Sequence, residues 1–114
     1  MSWTTFLLAC NPECQAKVHQ ELDGIFDADK TRPITSKDVA EIKYLEMCIK
    51  EALRIFPSVP FISRSITSDF ILDDDVTIPA GCDIILLTMP IHRNESIFPD
   101  PLAFQPDRFL PENT

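Results

Sequence analysis

The pattern of apolar and polar positions divides the chain into a helical first half and an extended second half. The segment Ser2–Cys10 is apolar with helical tendency, and an amphipathic helix follows it. At the start of that second helix, residues 11–13 supply an Asn N-cap, a proline at the first helical position and an acid in the first turn. The second helix places its apolar positions at Cys14, Val18, Leu22 and Ile25.

Helical signals resume at Ser36 and persist to Phe56, after a charged linker that ends at Pro33. Thr35 with Asp38 three residues later is typical of a capping box. Residues 41–44 allow a break between a short helix and a longer one. On a wheel of about 100° per residue, the longer helix has a polar stripe of Lys43, Glu46, Lys50 and Arg54 and an opposite face of Leu45, Cys48, Ile49, Ala52 and Phe56.

Glu51 belongs to neither of those two faces. It lies on the same side of the helix as Arg54, three residues on, so the two side chains can touch. Spacing alone favours a surface ion pair that contributes about 0.2 to 0.5 kcal/mol. However, Glu51 projects between Tyr44 and Met47, where a carboxylate must be paired or lose favourable hydration.

After Pro57 and Pro60 the period becomes extended, and short strands alternate with turns. A small antiparallel sheet is the natural result. The run of aspartates at 73–75 is interpreted as a solvated turn, because no further calcium ligands follow at loop spacing. The four strands are predicted at residues 61–66, 70–72, 76–78 and 83–87.

The proline-rich segment, residues 90–111, cannot form a long helix or a central strand. Its phenylalanines still need burial, so we expect an ordered, irregular coil that packs against the rest of the fold. Arg108 stands among those aromatics and therefore needs a carboxylate partner. Glu51 is a candidate for that partner.

Composition narrows the function classes. The 114 residues fit one domain at most, and their net charge of −8 argues against nucleic acid as a partner. The sequence has no apolar run of about 18 residues, so we expect no transmembrane helix. His19 and His92 stand alone, and the cysteines form no Cys-x-x-Cys pair, so we predict reduced thiols and no metal site. The cysteines are Cys10, Cys14, Cys48 and Cys82.

Two motifs carry a resemblance to a known family. Residues 51–54 (Glu-Ala-Leu-Arg) and 104–109 (Phe-Gln-Pro-Asp-Arg-Phe) resemble the Glu-x-x-Arg and Phe-x-Pro-x-Arg-Phe pair of the cytochrome P450 family, the haem-thiolate monooxygenases. The resemblance covers nearly the whole chain. Within the family, the chain resembles the microsomal fatty-acid hydroxylase branch of animals. Matching blocks lie, in family order, at 43–46, 59–64, 78–81, 92–94 and 98–101.

The resemblance implies a mixed α+β architecture that is an incomplete cytochrome P450 fold. Residues 1–56 would be helical, comprising the end of the long haem-crossing helix, the helix after it and the Glu-x-x-Arg helix. Residues 59–88 would form the sheet beside the substrate pocket. Residues 89–114 would begin the meander that precedes the haem-binding loop.

The resemblance also implies roles for individual residues. Glu51, Arg54 and Arg108 match the family's structural charge triad, which ties the meander to the helix. Arg64 matches an arginine that pairs with a haem propionate. Three further residues match a segment that lines the substrate pocket: Val59, Phe61 and Ile62.

By resemblance, the parent enzyme would insert one oxygen atom of O2 into an apolar, fatty-acid-like substrate, with electrons from a reductase. It would sit on the cytosolic face of the endoplasmic reticulum membrane, held by an anchor upstream of this chain. The family's iron ligand lies in a Phe-x-x-Gly-x-x-x-Cys loop, whereas the glycines here are only Gly24 and Gly81. We therefore expect a fragment that binds no haem stably and is inactive alone. The alternatives are a non-enzymatic acidic scaffold or interaction module and, with no ligands at useful spacing, a small metal-binding protein.

Overall fold

The computed structural model describes residues 2–27, 29–73 and 75–113, and within them the predicted mixed α+β fold is confirmed. Three helices come first, the fourth contains the Glu-x-x-Arg motif as expected, and antiparallel strands follow. The helices are α1 Ser2–Cys10, α2 Pro12–Phe26, α3 Ser36–Glu41, α4 Tyr44–Ile55 and α5 Thr88–His92; the strands are β1 Phe61–Ser65, β2 Phe70–Asp73, β3 Val76–Ile78 and β4 Asp83–Leu87.

The start of α2 has the predicted N-cap residue, proline and first-turn acid. Asn11 occupies the N-cap position, but its side chain makes no cap hydrogen bond. Its Nδ2 instead donates to the Leu7 carbonyl of α1 at 2.7 Å. The amide therefore satisfies one of the carbonyls left free at the end of α1.

The capping box at the start of α3 is confirmed. Thr35 Oγ1 accepts from the Asp38 backbone N–H at 3.3 Å, and the Asp38 carboxylate accepts from the Thr35 backbone N–H at 2.7 Å. Arg32 adds a bidentate pair, donating to both Asp38 oxygens at 2.7 Å. The predicted break also occurs, since α3 ends at Glu41 and α4 begins at Tyr44.

The predicted antiparallel pairing is present and is divided between two two-stranded sheets. β1 pairs with β4, with Phe61 opposite Leu87 and Arg64 opposite Ile84. β2 pairs with β3 in a separate hairpin. Gly81 takes a positive φ of 85° in the turn before β4, where its N–H donates to the Ile66 carbonyl at 2.8 Å. Of the aspartate turn at 73–75, residue 74 lies outside the described residues.

Two small clusters form the core, and α4 contributes to both. One contains Leu7, Ala52 and Ile55, and the other joins α1, α2 and α4. Phe104 of the proline-rich segment packs against both clusters, as its need for burial predicted. The second cluster contains Leu8, Val18 and Cys48.

Much apolar surface stays exposed outside that core. Every residue of β1 and β2 is exposed, including the apolar ones. The radius of gyration is 19.4 Å, against about 13 Å for a compact chain of this length. None of the described helices is long and apolar enough to cross a lipid bilayer.

The proline-rich segment is more regular than predicted. Residues 88–92, expected at the end of the sheet and the start of an irregular coil, form the short helix α5. Pro90 lies in its first turn, where the missing N–H breaks no hydrogen bond. Further along, residues Pro106–Phe109 and Pro111–Asn113 form 3-10 turns.

Candidate functional site

Glu51 and Arg54 form a buried, bidentate ion pair on α4. Arg54 Nε donates to Glu51 Oε2 at 2.7 Å, and Arg54 Nη2 donates to Oε1 at 2.8 Å. Glu51 is 0% exposed and Arg54 is 3% exposed. The interpretation as a surface pair is wrong, as is the place of Arg54 in the polar stripe, because the end of α5 and the proline-rich segment cover this face of α4.

The structure brings Arg108 to the same carboxylate. Arg108 lies in the 3-10 turn Pro106–Phe109, which packs near α4. Its Nε is 3.4 Å from Glu51 Oε1, without hydrogen-bond geometry. Its Nη2 donates to the Asp100 carbonyl at 2.9 Å. The backbone N–H of Gln105 donates to Glu51 Oε1 at 3.0 Å. We refer to Glu51, Arg54 and Arg108 as the charge cluster.

Arg54 also binds the proline-rich segment and the end of α5 directly. Its Nη1 donates to the His92 carbonyl at 2.7 Å, and its Nη2 approaches the Ala103 carbonyl at 3.4 Å. Its guanidinium lies 5.1 Å from the centre of the Phe98 ring, within cation–π range. Glu51 and Arg54 together therefore hold the helix and the later segment through directional contacts.

His92 and Arg93 were missed by sequence reasoning as members of this site. His92 Nδ1 lies 3.2 Å from the Arg54 carbonyl, and Arg93 Nη2 donates to the Ile55 carbonyl at 3.2 Å. Both contacts satisfy carbonyls at the C-terminal end of α4, which have no partner within the helix. Their partners are backbone atoms, so no side-chain pattern in the sequence signals them.

Glu21 is a third residue that the sequence did not reveal. Its carboxylate accepts hydrogen bonds from the backbone N–H groups of Lys43 at 2.8 Å, Tyr44 at 2.6 Å and Leu45 at 3.0 Å. α4 has no side-chain cap at Lys43, its own N-cap position. An acid on the polar side of α2 thus caps a helix more than twenty positions later.

The other predicted site residues lie on exposed strand and loop surface. Arg64 is on β1, and its Nη1 donates to the neighbouring Ser63 carbonyl at 3.0 Å. Val59, Phe61 and Ile62 are 58%, 54% and 41% exposed. Among the described residues, no hydrogen bond or ion pair joins these four residues to the charge cluster.

The Cys48 side chain is completely buried between the helices, so its sulfur is closed to the iron of a haem. Burial raises the pKa of Cys48 from 9.0 to about 12, and the nearby Cys14 adds to the rise. Burial also raises the pKa of Tyr44, as does its hydrogen bond with Cys14. In the part of the chain that the structure describes, no group of three or more His, Cys, Asp or Glu side chains is placed to hold a metal.

The residues present are not all placed to meet a haem in the same way: Arg64 has donors suited to a propionate at its edge, and Cys48 is closed to its iron. The exposed Arg64 guanidinium hydrogen-bonds only one carbonyl among the described residues and can still donate to a propionate. Cys48 does not fit the iron.

Comparisons with known proteins agree with the motifs. The family model described as Cytochrome P450 matches residues 1–114. Cytochrome P450 4c3 of Drosophila melanogaster is 49% identical over 113 residues, which cover 99% of this chain and 21% of that protein. Cytochrome P450 4V2 of Rattus norvegicus is 43% identical over all 114 residues, 21% of its length. Leukotriene-B4 omega-hydroxylase 3 of Mus musculus is 41% identical over 113 residues, which cover 99% of this chain and 22% of that protein. The chain thus spans about a fifth of the length of these relatives.

Proposed function

The chain belongs to the cytochrome P450 family, and we propose that it forms part of a haem-dependent monooxygenase. The observation that carries the proposal is the completely buried Glu51 carboxylate, which binds Arg54 and approaches Arg108. The buried charges of Glu51 and Arg54 would be costly if either lost its partner, and the partly buried Arg108 adds a second cation, which supports a structural role for the cluster. That role is to tie the proline-rich segment to α4 and so support the haem-bound core.

Arg64 would hold the haem by a charge-assisted hydrogen bond to a propionate. Its exposed position on β1 and its single carbonyl contact support this assignment. The haem, when bound through a cysteine thiolate, supplies the chemistry that splits O2 and transfers one oxygen atom. The cysteine would come from outside residues 1–114, since none of the four cysteines here stands in a Phe-x-x-Gly-x-x-x-Cys loop.

An apolar, fatty-acid-like substrate suits the exposed side chains near β1. Val59, Phe61 and Ile62 offer apolar surface that is not covered by the described residues. Alternation along a strand points Phe61 and Ile62 to opposite faces, so only one of them would face a given pocket. One relative is named for omega-hydroxylation of leukotriene B4, which supports this substrate class.

The whole protein would also need partners that this chain does not supply. We infer O2, an electron-donating reductase and attachment to the endoplasmic reticulum membrane on its cytosolic face through a segment upstream. The acidic balance of the chain gives no basis for nucleic-acid binding.

The test is a chimera in which this chain replaces the matching segment of Drosophila cytochrome P450 4c3, called the 4c3 chimera below. We expect it to bind haem and, after reduction with dithionite in the presence of carbon monoxide, to show the thiolate-type Soret shift of unmodified 4c3. A chimera that folds to the circular dichroism of 4c3 but lacks that shift would contradict the monooxygenase assignment and favour the non-enzymatic scaffold.

A further inference from the structure

Glu21 fixes the first turn of α4 from a different helix. Oε1 accepts from the N–H groups of Lys43 and Tyr44, and Oε2 accepts from Leu45. These N–H groups have no acceptor within their own helix, and a carboxylate is favoured at this positive end of the helix dipole. One carboxylate from α2 thus satisfies three of the donors that begin α4.

Hydrogen bonds of this kind set the position of α4 along its own axis. The apolar packing of α2 on α4, in which Val18 lies in the same cluster as Cys48, is non-directional and tolerates sliding. Three converging hydrogen bonds do not, because their strength falls steeply as geometry is lost. Because α4 is a continuous helix from Tyr44 to Ile55, an axial displacement at its first turn is transmitted to Glu51 and Arg54.

The geometry points to Glu21 as a positioning residue for the charge cluster. By fixing α4, it sets where Glu51 meets the Gln105 N–H at 3.0 Å and the Arg108 guanidinium at 3.4 Å. This inference rests on the proposed function of the cluster as support for the haem-bound core.

Four variants of the 4c3 chimera test it. Glu21→Ala removes all three hydrogen bonds, and Glu21→Gln keeps one acceptor oxygen. Asp23→Ala is the matched control for loss of an acid from the same helix, since the ion pair that Asp23 forms among the described residues is with the exposed Lys30. Thr35→Ala is the control for a lost helix cap that does not touch α4.

Two measurements are made on each variant: the rate of haem loss, and hydrogen exchange at the Gln105 amide in the haem-free protein. We expect Glu21→Ala to speed both by roughly tenfold, the effect of about 1.4 kcal/mol, and Glu21→Gln to speed them less. Both controls should keep the rates of the unmodified chimera. A cap that acted only locally would not change exchange at Gln105, which lies on the far side of the charge cluster.

The Arg108→Ala variant separates failure of this inference from failure of the proposed function. Unchanged rates in Glu21→Ala, with fast haem loss in Arg108→Ala, would overturn the positioning role and leave the proposed function standing. Equal acceleration in Glu21→Ala and Thr35→Ala would also overturn it, since general destabilisation would then suffice. Unchanged haem loss in both Glu21→Ala and Arg108→Ala would contradict the proposed function itself.

Discussion

The Arg108 guanidinium lies 3.4 Å from the buried Glu51 carboxylate, although the two residues stand in separate elements and far apart in the sequence. Arg54 binds the same carboxylate through two hydrogen bonds. The proline-rich segment is therefore held to α4 by charge as well as by the apolar packing of Phe104.

Glu51→Gln should destabilise the 4c3 chimera by about 3 to 5 kcal/mol, because it leaves two guanidinium groups in or near the interior without a countercharge. The measurement is the urea midpoint followed by circular dichroism. Glu46→Gln is the matched control on the same helix, since Glu46 is exposed and its ion pair within the described part of the chain is with the exposed Lys50. A Glu51→Gln midpoint equal to that of the control would show that the buried carboxylate does not stabilise the fold.

Asp38 should make stability depend on acid pH. Hydrogen bonds from Arg32, and then from Thr35, hold the pKa of the Asp38 carboxyl well below its usual value of 3.8. A carboxyl with a lowered pKa in the folded state contributes stability above its unfolded pKa, and this contribution is lost as the pH falls further. The thermal midpoint of the chimera should therefore fall more steeply below about pH 4 than that of its Asp38→Asn variant. Parallel curves for the two proteins would contradict the pairing.

Cys48 should be inert toward alkylation in the native protein. Its side chain is fully buried and its pKa is raised to about 12, so almost no thiolate is available. We expect iodoacetamide to label the exposed Cys10 and Cys82 at least about a hundredfold faster. Peptide mapping by mass spectrometry gives the three rates. Labelling of Cys48 at the rate of Cys82 would show that α4 is not packed as described.

The 114-residue chain alone should not form a thiolate-ligated haem. It has no Phe-x-x-Gly-x-x-x-Cys loop, and Cys48 is held as a neutral thiol. Haem, reductant and carbon monoxide added to the purified chain should therefore give no thiolate-type Soret shift. Unmodified 4c3, treated in the same way, is the positive control. A shift in the isolated chain would mean that one of its own cysteines ligates iron.

Local chemistry made much of the fold predictable from the sequence. The Thr35 and Asp38 capping box, the break before Tyr44 and the four strands depend on neighbouring residues, and all occur where expected. The N-cap position of Asn11 was predictable, but the partner of its side chain was not, because α1 ends just before α2 and offers a free carbonyl as a competing acceptor. The sequence does not predict the short helix α5, because prolines disfavour helix in general, although the first turn of a helix tolerates Pro90.

The site was only partly predictable, because some of its contacts depend on how distant segments of the chain pack together. The helical wheel showed that Glu51 lies in neither the polar nor the apolar face and needs a charged partner. The sequence pattern predicted two partners for it, Arg54 and Arg108. Glu21, His92 and Arg93 act on backbone groups of α4 that are distant in sequence. Such contacts depend on tertiary packing and leave no periodic pattern in the chain.

The most direct test of the central claim is haem retention in the Arg108→Ala variant of the 4c3 chimera, with Lys50→Ala as the control for loss of an exposed cation from α4. Each protein is reduced with dithionite in the presence of carbon monoxide, and its thiolate-type absorbance is followed during dialysis against a haem-binding protein. If the charge cluster supports the haem-bound core, Arg108→Ala loses that absorbance at least about tenfold faster, as expected for a loss of 1.4 kcal/mol or more, while Lys50→Ala matches the unmodified chimera. Equal rates in all three proteins would contradict the claim.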